Sequence, residues 1–195
     1  MKPTYDDTRQ HLLDTGHRMM AEKGFTSVGL NEILQTAGVP KGSFYHYFAS
    51  KEAYGLDVLA SYAGYFARRL DRWLLDESLT PLERLAGFVQ HSKASMARYG
   101  YRRGCMVGNM GQEVSVLPEG FRDALEAIFL DWQKRLRACF DAAKRAGELP
   151  VHADSAELAA YFWIGWEGAV LRARLVQSDA PLNTFIAGFL RGLPR

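Results

Sequence analysis

Apolar residues recur at helical intervals along almost all of this 195-residue chain, and no run of β-branched alternation bounded by turn residues interrupts them. That pattern predicts an all-α fold. The first segment, about Tyr5 to Lys23, spaces Leu12, Leu13, Thr15, Met19 and Met20 helically and closes on Lys23-Gly24, a C-cap arrangement. A short helix over Leu30 to Thr36 follows, then a Gly38-Val39 turn. Pro40 sits at a tolerated first-turn position, ahead of a third short helix from Lys41 to about Phe48. Ser50 is placed to cap a helix running to about Leu75. Thr80-Pro81-Leu82-Glu83 forms a capping box that opens a helix to about Tyr99. A shorter segment covers Cys105 to Val116, and Pro118 opens a helix to Ala146. Asp154 caps one that reaches about Gln177, and the last covers about Pro181 to Leu190. The expectation is about nine helices: a three-helix N-terminal domain over 1–49 and a helical body over 50–195.

Composition narrows the class further. An apolar share of 48% argues against disorder. The longest uncharged apolar stretch, Leu158 to Trp166, is far shorter than the ~18 residues of a membrane span. The start, Met1 to Asp7, has no apolar signal core, and two cysteines make no disulfide framework, so a cytoplasmic, reducing setting is expected. The formal charge is only +2, and residues 1–50 hold five Lys/Arg (Lys2, Arg9, Arg18, Lys23, Lys41) against five Asp/Glu (Asp6, Asp7, Asp14, Glu22, Glu32). Nucleic-acid packaging through bulk charge is therefore disfavoured. Any DNA binding must come from a few placed groups.

The segment from Leu30 to Phe48 has the layout of a helix-turn-helix, whose second helix enters the major groove by its N-terminus. Gly42 and Ser43 are small enough to approach base edges, with the Lys41 cation beside them. Tyr45 and His46 carry polar tips that reach phosphates, while Ser27 and Lys51 flank the reading helix as further phosphate contacts. Phe44 and Phe48 are expected to close the small core. His11, His17 and His46 lack metal-ligand spacing, and no metal or other cofactor is expected.

At Lys23-Gly24-Phe25-Thr26-Ser27-Val28, Ala37 to Phe48 and Ser50-Lys51-Glu52, the chain resembles the TetR family of bacterial one-component repressors. The resemblance implies a homodimer on double-stranded, palindromic operator DNA, with a C-terminal ligand-binding and dimerisation domain whose occupancy changes the spacing of two reading heads. It assigns Tyr45, His46 and Lys51 to phosphate contacts and Lys41, Gly42 and Ser43 to the base-facing end.

In the body, the residues themselves suggest a sensor. On helical spacing Cys105, Asn109 and Gln112 share a face within a glycine-rich segment. Further on, Trp163, Glu167 and Arg174 line one helical face with Trp166 on the adjoining one. Two indoles beside a carboxylate and a guanidinium suggest a lined cavity with a polar floor, to which Trp132 and Tyr65 are candidate additions. Cys105 follows Arg102 and Arg103, which favours the thiolate, whereas Cys139 between Leu136 and Phe140 is expected to act as a small hydrophobe.

Phe25 to Gly29, Arg102 to Glu113 and Phe162 to Arg174 also look like a narrower branch of the same family, the acrylate-utilisation repressors and, more distantly, electrophile-responsive ones. That resemblance implies a small unsaturated acid, thioester or electrophile as effector. Arg174 stands where it leads one to expect lysine; arginine stays protonated and suits carboxylate binding. Phe185, Ile186 and Phe189 give the final helix an apolar stripe that matches the family's subunit seam. A covalent sensor acting through Cys105 is the alternative. A thiol enzyme is disfavoured, because His91 and His152 lie in no recognisable catalytic context, and no catalytic residue is assigned.

Overall fold

The computed structural model describes residues 5–195; residues 1–4 of the polar start lie outside the described part. Among the described residues there are nine helices and no strand: α1 Tyr5–Lys23, α2 Leu30–Ala37, α3 Lys41–Phe44, α4 Lys51–Leu74, α5 Pro81–Arg98, α6 Met106–Gly111, α7 Phe121–Arg145, α8 Ser155–Val176 and α9 Ala180–Arg191. The order is the one the apolar spacing predicts. Most ends are set by local chemistry. The Ser50 hydroxyl accepts from the Ala53 amide at 3.1 Å to start α4. The Glu83 carboxylate accepts from the Thr80 amide at 2.8 Å, and Glu148 reaches the Leu82 amide at 3.0 Å, so two carboxylates serve the start of α5. At α8 the Asp154 carboxylate accepts from Ala156 and Glu157 at 2.9 and 3.0 Å. Those two amides hold it below the ordinary carboxylate range.

Three helices are shorter than their spacing predicts. α3 ends at Phe44, and Tyr45 to Tyr47 continue in tighter turns, with the Tyr47 amide donating to the Phe44 carbonyl at 2.9 Å. The Tyr5 hydroxyl takes the His46 carbonyl at 3.2 Å, which draws that group out of a continued ladder. α6 has six residues, since glycines at 108 and 111 weaken a helix and Cys105 sits outside it as the N-cap. α7 starts at Phe121 rather than Pro118, because Gly120 has φ +86°.

The chain divides into two compact units, the described part of Met1–Gly64 with Cys105–Glu126, and Tyr65–Gly104 with Ala127–Arg195. In the first, α1 packs on α2 and on α6, and α2 on α3. Its core gathers Leu12, Met20, Val28, Ile33, Phe44, Phe48, Tyr54 and Val58, all 3% exposed or less. In the second, α8 packs on α9, and the core is aromatic, built from Phe88, Trp132, Phe140, Phe162, Trp163 and Phe189. Gly165 lets the Phe185 ring lie against α8, where an added Cβ would stand 2.2 Å from it.

Candidate functional site

The first unit builds a presenting surface from short local elements. α2 ends on Gly38, whose φ of +66° requires the left-handed region that glycine enters without strain. Its amide donates to the Gln35 carbonyl, and the Val39 amide donates to Leu34 at 3.0 Å, which reverses the chain into Pro40 and α3. Phe44 is fully buried and packs edge-on against Tyr54, with centroids 5.4 Å apart; Phe48 meets the same ring at 4.9 Å. With that face pinned, Lys41, Gly42, Tyr45 and His46 are exposed and Ser43 is half-buried. A Cβ at Gly42 would meet nothing within 4 Å, so no packing demand holds a glycine there. A groove of about 450 Å³ at the α2–α3 turn adds Asn31 and Gln35 beside Lys41, two polar residues that the motif alone does not single out.

Ser27 is exposed, but Lys51 is placed differently from the other expected phosphate contacts. Its ammonium donates to the Phe25 carbonyl at 3.0 Å and stands 4.4 Å from the centre of the Phe25 ring. Burial lowers its pKa from the usual lysine range. The same loop is held from its other side. The Glu113 carboxylate accepts from the amides of Phe25 and Thr26 at 2.9 and 3.1 Å, and the Asn109 side-chain amide donates to the Ala21 carbonyl at 2.8 Å. Gly24, with φ +81°, fits only because it lacks a Cβ, which would lie 1.9 Å from Glu113 Oε1. Thus Asn109, read from sequence as an effector contact, grips the end of α1. Glu113, four residues on, is a structural residue that the sequence analysis gave no role, although the i, i+4 spacing was legible.

Cys105 is 9% exposed and caps α6, its sulfur accepting from the Gly108 amide at 3.4 Å. Gln112 follows the helix as its C-cap and is exposed. Cys105, Asn109 and Gln112 therefore have three distinct placements rather than one shared helical face. Cys139 is 3% exposed, donates to the Pro81 carbonyl at 3.2 Å, and burial pushes its thiol up to about 11.

In the second unit the expected indoles come together. Trp132 and Trp163 have ring centres 5.0 Å apart, and Phe66 lies 4.4 Å from Trp132. Trp166 stacks on Phe162 at 5.8 Å and meets Phe88 at 6.1 Å. The nitrogens of Trp132 and Trp163 are buried with no hydrogen-bond partner among the described residues. Each such donor costs on the order of 1–3 kcal/mol. Glu167 is half-buried and Tyr65 is 50% exposed on α4. Arg174 is half-buried, lies along Gly104 and donates to the Arg102 carbonyl at 3.3 Å. Of the expected seam residues, Phe185 and Ile186 are half-buried. Phe189 is 3% exposed and is packed by Phe140, Phe162 and Tyr161 of its own chain. Ile164 and Leu175 of α8 are 73% and 70% exposed.

Among the described residues no group of three His, Cys, Asp or Glu side chains could hold a metal ion, and no helix is long and apolar enough to cross a membrane. Residues 12–53 match the bacterial regulatory proteins of the tetR family, and residues 81–189 match the tetracyclin repressor-like C-terminal domain. The chain is 50% identical over 182 residues to the transcriptional regulator AcuR of Cereibacter sphaeroides, covering 93% of this chain and 83% of that protein. It is 33% identical over 186 residues to the HTH-type transcriptional repressor NemR of Escherichia coli, covering 95% and 94% of the two chains. A crystal structure of the regulatory protein TetR from Rhodobacter sphaeroides superposes with a TM-score of 0.92 at 49% identity, covering 94% of this chain and 97% of that one.

Proposed function

The chain belongs to the TetR family of DNA-binding transcriptional regulators, and from that premise we propose that it is a homodimeric repressor released from a palindromic operator by a small unsaturated acid, thioester or electrophile. The observation that carries the DNA part is the fully buried Phe44, which fixes α3 while Lys41, Gly42, Tyr45 and His46 stay exposed. Two heads about 34 Å apart then read successive major-groove faces. Because the head is neutral by count, affinity depends on placed contacts and on doubling by the dimer.

The seam in this reading runs along α8 and α9. Ile164, Leu175 and the 40%-exposed Leu190 offer apolar surface to a second copy beside Phe185 and Ile186, with Phe189 supporting them from inside. Emptying an operator from 99:1 to 1:99 requires about 5.5 kcal/mol of differential affinity, roughly half from each of two sites. The test is a gel-shift titration on a duplex selected from a random-sequence pool, with small acids, thioesters and electrophiles as additives. At least one class releases the duplex; release by none removes the sensor reading.

A covalent route through Cys105 is the second reading, supported by its position as the cap of α6 after Arg102 and Arg103. Cys105→Ser abolishes the response to electrophiles if the thiol is the sensor, and leaves it intact if sensing is reversible. Cytoplasmic residence fits either route, since both the operator and a reduced thiol are found there.

A further inference from the structure

Among the described residues, five buried side-chain nitrogen or oxygen atoms have no hydrogen-bond partner, and four of them are N–H donors: Arg69 Nε, Trp73 Nε1, Trp132 Nε1 and Trp163 Nε1. Three of the four surround one ring. The Phe66 centre lies 4.4 Å from that of Trp132, 6.2 Å from that of Trp163 and 5.6 Å from the Arg69 guanidinium carbon. Trp132 is fully buried and Trp163 is 2% exposed, so bulk solvent does not reach their indoles. Arg69 is oriented by a 3.0 Å hydrogen bond from Nη2 to the buried Ser92 hydroxyl, which leaves Nε unused. It makes no ion pair among the described residues.

Buried polar groups are nearly always paired, and leftovers of mixed polarity would be scattered defects. Here the leftovers around Phe66 are all donors, drawn from α4, α7 and α8, and one of them carries a full positive charge. The missing partner is a group with acceptors only and negative charge, on a body small and apolar enough to lie among aromatic rings. We propose that Arg69, Trp132 and Trp163 form the head-group site for a small carboxylate. The two indoles and the guanidinium donate to its oxygens, and Phe66 flanks its carbon chain. This rests on the effector reading above and narrows it. The charged partner becomes Arg69, which no local pattern singles out, rather than Arg174, whose guanidinium donates to a backbone carbonyl.

Calorimetric titration of the full chain with acrylate, crotonate and benzoate, each beside its methyl ester and the amine of matching size, tests the class. The acids bind, the esters bind at least tenfold more weakly, and the amines do not bind. Arg69→Gln, Trp132→Phe and Trp163→Phe each weaken acid binding tenfold or more, while Arg69→Lys, which keeps the charge but loses Nε, retains part of it. Arg69 is only half-buried, so its variants report even where a tryptophan variant fails to fold. Acids that bind no better than their esters, or acid binding untouched by the Arg69 substitutions, overturn the proposal. Acid binding that leaves the selected duplex occupied supports this site and removes the release reading. Release by an ester or electrophile without acid binding does the reverse.

Discussion

The two compact units treat buried polarity in opposite ways. In the first, no buried side-chain nitrogen or oxygen among the described residues lacks a hydrogen-bond partner. The Tyr54 hydroxyl donates to the Leu12 carbonyl at 2.7 Å, the His17 ring meets the Val58 carbonyl at 3.0 Å, Asn109 holds Ala21, and Glu113 holds two amides. In the second, Arg69, Trp73, Trp132, Ser155 and Trp163 account for every buried unpartnered side-chain atom among the described residues. A unit that presents a fixed surface to DNA gains from full satisfaction, which favours one conformation. A unit that receives a ligand can leave donors open for it, at a cost in stability that binding returns.

The largest test of that contrast removes the buried support of α3. Phe44→Ala should cost about 3–5 kcal/mol, the range for truncating a buried aromatic. Hydrogen exchange should show protection lost across α1 to α3 before it is lost in α8. Uniform loss would make the two units one cooperative body. Next in size, Glu113→Ala removes a charged acceptor from two amides and should cost about 1.5–3 kcal/mol in denaturant unfolding, with Glu113→Gln intermediate. Operator affinity should fall in parallel, because the freed loop leads directly into α2. Stability within 0.5 kcal/mol of wild type, on the order of a neutral surface change, would show the carboxylate to be dispensable.

A matched pair of small changes sharpens the comparison. Tyr54→Phe deletes a satisfied buried hydroxyl and should cost about 0.5–1.5 kcal/mol. Ser155→Ala deletes an unsatisfied one, 4% exposed, and should be neutral or slightly stabilising. Equal losses from both would mean that Ser155 has a partner after all. The smallest effect is the pH response of His17. Burial is the main cause that lowers its pKa from the histidine value. The unfolded chain therefore binds this proton more readily than the native one. The stability it governs is complete above about pH 6.5 and falls as pH drops from there toward the native pKa. His17→Gln should flatten unfolding midpoints between pH 7 and 5; an unchanged slope would assign the response to other groups.

Legibility from sequence followed the range of the interaction. Thr80-Pro81-Leu82-Glu83, Asp154 and Gly38 act over two to five residues, and each does in the structure what its local pattern predicts. Lys41, Gly42, Tyr45 and His46 lie within six residues of chain, so their common exposure followed from the motif. Face assignments were less secure where helices were short or broken by glycine. The spacing that grouped Cys105, Asn109 and Gln112 presumed a helix that stops at Gly111. Apolar stripes were ambiguous for another reason. Phe189 repeats at the same interval whether it meets Phe162 of its own chain or a second copy, and periodicity carries no information on which.

What the sequence determined by itself is the order and approximate extent of the helices and the presence of a helix-turn-helix, because caps, turns and amphipathic periods are written in neighbouring residues. Only tertiary structure decided that Glu113 closes on Phe25, 88 positions away, and that Trp132 and Trp163 meet beside Phe66 with no acceptor for their indoles among the described residues. Such pairings depend on which helix faces pack together. That outcome is set by the shape and burial of many side chains at once, and no local pattern records it.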